Sequence, residues 1–157
     1  MNKKLVSLLL SLVLVVAAIA GCAKTATPEK GAEGGLEKVA FITQSLANES
    51  QAYAYKQFQQ YAEDYGFTVD VFDGQFDVQN EAKAVGNCIA QGYKAIFINP
   101  SDIKAIVPSL MEAKEAGLIV GLFSSDLAPE SQQYRDFFCG VDDTMAGETA
   151  GQAFLDH

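Results

Sequence analysis

The sequence predicts an α/β fold: a doubly wound, mostly parallel five-stranded sheet in the order 2-1-3-4-5, forming one Rossmann-like lobe. Three observations predict it. Candidate strands and helices alternate, with strand starts near residues 38, 67, 94 and 118. The strongest strand runs are apolar on both faces, as in a sheet covered by helices on both sides. The intervening segments repeat apolar residues at spacings of three and four, the stripe of an amphipathic helix. Such alternation builds a parallel sheet with right-handed crossovers. In the simplest order the winding reverses between strands one and three, and open α/β sheets bind ligands at that switch point.

Each element follows from its residues. Lys38–Thr43 is a first buried strand, ended by the mostly polar Gln44–Glu49. Ser50–Tyr65 is helical, with Tyr55, Phe58, Ala62 and Tyr65 on one stripe and Gly66 as a stop. Phe67–Phe72 is the second strand, closed by the Asp73-Gly74 turn signal. Val78, Ala82, Val85 and Ile89 mark the next helix, stopped by Gly92. The third strand, Lys94–Ile98, meets Asn99 and Pro100, which cannot continue a central strand. Ser101 and Asp102 then offer side-chain oxygens to a following helix. That helix carries Ile103, Ile106, Val107, Leu110 and Met111, with Pro108 expected to kink its first half, and it stops at Gly117. Leu118–Phe123 is a fourth apolar strand, and Ser124–Arg135 reads as loop. Asp136–Val141 is a weaker fifth strand. Asp142 and Asp143 are placed to cap a last helix over Thr144–Asp156, whose Ala146, Ala150 and Ala153 make a face small enough to pack closely.

The first residues have another character. Lys3 and Lys4 precede an almost wholly apolar run, Leu5–Ala20, and Ala20-Gly21 stand before Cys22. This is the pattern of a secretory signal over residues 1–21, too short for a comfortable membrane span. The Ile-Ala-Gly-Cys ending resembles the lipobox of bacterial lipoproteins, which implies lipidation of Cys22 and a membrane held through that lipid anchor. Residues 22–37 hold Thr25, Thr27, Pro28, Gly31, Gly34 and Gly35 without apolar periodicity, and read as a flexible tether. Residues 38–157 remain for one folded domain.

Charge and motifs narrow the function. Cleavage before Cys22 removes two lysines and no acid, taking the net charge from −9 to −11. With a single Arg, Arg135, and no basic patch, nucleic acid is excluded as a partner. The turn after the first strand has no glycine, so no nucleotide cofactor is expected there. The chain has no G-x-S-x-G and no C-x-x-C, and its one His is His157, so neither triad chemistry nor a His-based metal site has its residues. An enzyme, a cofactor and a metal are therefore not expected. Cys88 and Cys139 sit in apolar settings and read as small buried residues, with a disulfide as the alternative. The amides, hydroxyls and carboxylates at the sheet's carboxyl edge suit hydrogen bonding to a polyhydroxylated ligand. Gln44–Glu49 and Asn99–Asp102 line the expected switch-point crevice.

Four segments together resemble a known family: VAFITQSLANES behind the leader, AQGYKAIFINPSD, VPSLMEAKEAGLIVGLF and GVDDTMAGETAGQAF. They resemble the periplasmic sugar-binding proteins of ABC importers, ribose/galactose type, with the type I periplasmic binding fold. LacI-type repressors share this lobe but carry a DNA-binding headpiece where this chain has an export signal. The resemblance implies a small polar ligand, a sugar or polyol, bound between two lobes, and an ABC permease as partner. It places Asn48 and Asn99 at hydrogen-bonding positions, Gln44 at a polar contact, and Asp142 at the Asp of an SDN-like segment. The sequence departs from the pattern in two places. Glu49, Ser50 and Gln51 stand where Pro and stacking aromatics are frequent, with Tyr53 nearby. Ser124 and Ser125, followed by Asp126, replace a sugar-clamping Asp-Arg. These departures motivate an alternative reading, a ligand-sensing or partner-binding surface lipoprotein that feeds a signalling system such as a histidine kinase. By length the chain is expected to hold most of one lobe, as an N-terminal fragment.

Overall fold

A computed structural model describes residues 36–156. The expected signal, Cys22 as the expected lipid acceptor, and all but the end of the expected tether lie outside the described residues. The elements are β1 (Glu37–Thr43), α1 (Glu49–Ala62, continued by a 3₁₀ turn over Glu63–Tyr65), β2 (Phe67–Asp73), α2 (Val78–Ala90), β3 (Ala95–Ile98) and α3 (Val107–Glu115). They are followed by β4 (Ile119–Phe123), a 3₁₀ segment (Pro129–Tyr134), β5 (Phe137–Cys139) and α4 (Asp143–Leu155). The strands form one sheet in the order β2-β1-β3-β4-β5, with every neighbouring pair parallel. The expected switch point therefore lies between β1 and β3.

α3 differs from its prediction. Residues 103–106 are turns, and the helix starts at Val107 with Pro108 in its first turn. Pro108 kinks nothing there, because first-turn N–H groups have no intrahelical acceptor and a missing one costs little. The expected 124–135 loop contains the short 3₁₀ segment, and β5 is shorter than its apolar run suggests.

Alternation along the strands sorts the core into two faces. On one, Ala40, Ile42, Ile96, Ile98, Val120 and Leu122 pack with Ala84, Val85 and Cys88 of α2 and with Ile106, Leu110 and Ala113 of the α3 region. The other face is aromatic. Phe41 lies among Tyr55 and Phe58 of α1 and Phe97 and Phe123 of the sheet, with ring centroids between 4.7 and 6.0 Å apart. Phe41, Phe97, Gly121 and Phe137 occupy one register row across four strands. A Cβ at Gly121 would stand 2.3 Å from the Phe137 ring, so the glycine lets that ring lie over β4 and stack on Phe97 at 5.8 Å. This face is incompletely covered: Phe137 is 46% exposed, and α4 buries none of its residues. The small-residue face predicted to pack closely is therefore open to solvent.

Of the two cysteines, only Cys139 parts from expectation. Cys88 is buried and Cys139 exposed, and both thiols are free. Burial, with the Asp70 carboxylate adding to it, pushes the Cys88 thiol up to about 12, which leaves it an inert core group. Cys139 is exposed because β5 is the sheet edge.

Asp136 joins β5 to the sheet. Its backbone N–H donates to the Val120 carbonyl at 2.7 Å, and its Oδ2 accepts from the Val120 N–H at 2.7 Å. Its Oδ1 accepts from Lys114 Nζ at 2.5 Å. Partial burial pushes this carboxyl's pKa up, but the Lys114 bond and the Val120 N–H together hold it below the ordinary Asp value. A depressed folded pKa contributes stability above the unfolded pKa and loses it as pH falls through the folded one. Asp136→Asn is therefore expected to lower the unfolding free energy at neutral pH, and with it the urea midpoint, by no more than the ~1 kcal/mol of a solvent-screened pair. In acid the variant and the parent should converge. Midpoints measured at both pH values check this, and a constant gap would remove the linkage.

Candidate functional site

The carboxyl ends of β1, β3 and β4 lie side by side, neighbouring strands being ~4.8 Å apart in such sheets. They bring Gln44, Asn99 and Ser124 to one edge. Asn99 continues the ladder by donating its backbone N–H to the Ile42 carbonyl at 3.0 Å. Its side chain is 2% exposed, and its Oδ1 is buried without a hydrogen-bond partner among the described residues. A buried unpaired carbonyl costs about 1–3 kcal/mol, so Asn99 Oδ1 is an exception to the usual pairing of buried polar atoms.

The two residues after Asn99 are clamped from both sides. Gln44 donates Nε2 to the Pro100 carbonyl at 2.9 Å, bridging the crevice between β1 and β3. Ser101 does not cap α3. It donates its N–H to both carboxylate oxygens of Glu81 at 3.0 Å and its hydroxyl to Oε1 at 2.5 Å. Asp102 does not cap α3 either, since Ile106 precedes that helix without a side-chain cap; it closes the turn over 103–106, accepting from Lys104 N at 2.8 Å and Ala105 N at 2.9 Å. Those two N–H groups hold its pKa below the ordinary value.

Glu81 itself is fully buried, and burial raises its pKa against the lowering effect of the Ser101 bonds. It was missed in the sequence because α2 was read through its apolar letters alone. Its signal was legible: Glu81 stands three residues after Val78 and four before Val85, a charge inside the stripe. Gly74 makes room for it, since a Cβ there would meet Glu81 Cγ at 2.8 Å and the Thr43 carbonyl at 2.9 Å.

The remaining predicted residues fall into distinct roles. Asn48 is exposed and caps α1, its Oδ1 accepting from Ser50 N at 3.0 Å and Ser50 Oγ at 2.9 Å. Ser124 adopts φ +61°, and the Ser125 N–H reaches back over it to the Phe123 carbonyl at 2.7 Å. A left-handed serine in so tight a turn is strained, and it leaves both hydroxyls at the end of β4. Asp126 has no free acceptor of comparable quality. Its oxygens take the Arg135 guanidinium through two nitrogens at 2.5 and 2.8 Å, the Leu127 N–H at 2.8 Å and Gln132 Nε2 at 3.2 Å. It organises the 124–135 segment around the chain's single arginine. Asp142 is exposed and caps α4 by accepting from Met145 N at 3.0 Å. The β2–α2 turn adds a feature the sequence did not suggest: Gln75 and Phe76 hold φ of 55° and 59°. The Phe76 N–H bonds the Gln44 carbonyl at 2.7 Å, and its ring is 63% exposed beside the edge.

The carboxyl edge of this doubly wound lobe gathers amides and hydroxyls around the buried, unpaired Asn99 Oδ1. The chain belongs to the periplasmic binding protein family: the periplasmic binding protein domain matches residues 39–157. The galactofuranose-binding protein YtfQ of Escherichia coli is 33% identical over 90 residues, 57% of this chain and 28% of that protein. The D-ribose/D-allose-binding protein of Pseudomonas aeruginosa is 27% identical over 135 residues, 80% of this chain and 40% of that one. Among solved structures, a galactofuranose binding protein matches with a TM-score of 0.70 and 28% identity, over 76% of this chain and 40% of its own. The chain thus spans less than half the length of these relatives.

Proposed function

We propose that this chain supplies the N-terminal lobe of an extracytoplasmic solute-binding lipoprotein, which captures a sugar or sugar-like polar ligand for an ABC importer. The observation that carries the reading is the buried, unpartnered Oδ1 of Asn99 at the switch point. It is closed to solvent in this conformation, so a sugar hydroxyl reaches it once the Asn99 amide turns outward, with the Ser124 and Ser125 hydroxyls one strand away and Asn48 at the rim. The relatives named as galactofuranose- and D-ribose/D-allose-binding proteins support the ligand class. The apolar leader ending at Cys22 supports export and lipid anchoring, and the family supports a permease as the partner.

A thermal-shift panel on the full-length protein tests the ligand class, with D-galactose, D-ribose, D-allose, L-rhamnose, myo-inositol and glycerol as probes. At least one sugar or polyol is expected to raise the melting temperature. No stabilisation by any of them, with tight binding of a peptide or nucleotide instead, would overturn the reading. For the anchor, cells fed labelled palmitate should label the parent protein and not Cys22→Ala.

A further inference from the structure

We propose that Glu81 is the positioning residue of the switch-point site: through Ser101 it holds the turn that presents Asn99, so the charge on one buried carboxylate sets ligand affinity. This rests on the reading of Asn99 as a ligand contact. Three features carry it.

The first is the grip. Both Glu81 oxygens sit 3.0 Å from the Ser101 nitrogen, and Oε1 also takes the Ser101 hydroxyl. Hydrogen bonds to an ionised acceptor are roughly twice as strong as neutral ones. Ser101 is separated from Asn99 only by Pro100, whose fixed φ passes a shift at Ser101 directly to the amide. The Gln44 bond to the Pro100 carbonyl closes the other side of the clamp.

The second is confinement. Gly74 lies so close that even a Cβ there would stand 2.8 Å from Glu81 Cγ and 2.9 Å from Oε1. The carboxylate therefore has little room to swing away from Ser101. The charged groups acting on it are both acids, Asp77 at the start of its own helix and Asp102 in the turn it holds, and neither neutralises it.

The third is that Glu81 works against the fold. Burial raises its pKa, so its favourable contribution to stability exists below the ordinary Glu pKa and is lost as pH rises through the folded value. Above that value the ionised side chain costs stability. A destabilising buried charge beside a reserved acceptor has its rationale in the site.

The test compares the full-length parent with Glu81→Gln and Ser101→Ala. The probe is the sugar of the panel above that stabilises the parent most. Affinity is measured from about pH 9 down to the lowest pH at which the parent stays folded, because burial moves the Glu81 titration upward. The parent is expected to lose about fivefold or more in affinity on acidification and to release protons on binding at intermediate pH, as linkage requires. Glu81→Gln should bind with a nearly flat pH profile and release none. Ser101→Ala, which removes one hydroxyl, should bind more weakly at neutral pH and covers the case in which Glu81→Gln fails to fold. A parent that binds sugar with the same pH profile as Glu81→Gln, or a Ser101→Ala of unchanged affinity, overturns the role of Glu81. A parent that binds no probe overturns the sugar reading instead.

Discussion

Phe41→Ala is expected to destabilise the protein by about 3–5 kcal/mol, the range for emptying a core aromatic site. Phe41 is 1% exposed, and four aromatic rings surround it, two from α1 and two from β3 and β4. No neighbour is free to collapse into the space, since Tyr55 and Phe58 are fixed by their helix and Phe97 and Phe123 by the sheet. Against a total stability of about 5–15 kcal/mol, the loss would leave a fraction of the fold's margin. The control is the same chemistry in a different place. Phe137 lies in the same register row but is 46% exposed, so Phe137→Ala should cost far less. Urea unfolding of both variants reads the contrast directly. A Phe41→Ala cost under about 1.5 kcal/mol would mean that the aromatic face collapses freely, unlike a native core.

That face also shows where sequence reading succeeded and where it stopped. The sheet order was legible because it depends on the alternation of long, strongly periodic segments, and each crossover has one favoured hand. Local polar geometry was not legible in the same way. Ser101 and Asp102 both looked like caps, since either side chain can accept from a helix N–H. Only the fold brings Glu81 of α2 against Ser101 and leaves Asp102 to close the turn ahead of α3. Asp126 stands among the expected ligand contacts, and no local pattern announces the Arg135 guanidinium that the 3₁₀ segment brings to it. Pro108 looked like a kink because the apolar spacing runs on through 103–106, yet a proline is best tolerated in the first turn, where the helix begins. At the site itself, Asn99 and Gln44 were placed correctly at the β1/β3 edge because strand ends follow from strand runs. Asn48 and Asp142 were placed at helix starts, where they serve as caps whatever else they bind.

Asn99→Leu is the variant that separates fold from function, because its two effects have opposite signs. Asn and Leu have side chains of the same branching and nearly the same size. In the parent, Oδ1 is buried without a partner among the described residues, at a desolvation cost of about 1–3 kcal/mol. Leucine removes that acceptor and fills the same space with apolar atoms, so the unfolding free energy should rise, by about 1 kcal/mol. The backbone N–H bond to Ile42 is untouched by the change. Ligand affinity in the full-length protein should meanwhile fall by about 1–3 kcal/mol, roughly five- to 150-fold, because a buried sugar hydroxyl would face a methyl group. A rise in stability with unchanged affinity would leave the strained carbonyl without a ligand role. A fall in stability would mean that Oδ1 is satisfied within the folded protein and that Asn99 ends β3 as a structural residue. Only the combination of a more stable chain and a weaker binder fits an amide kept unpaired for a ligand, and a cap or a core residue would not produce it.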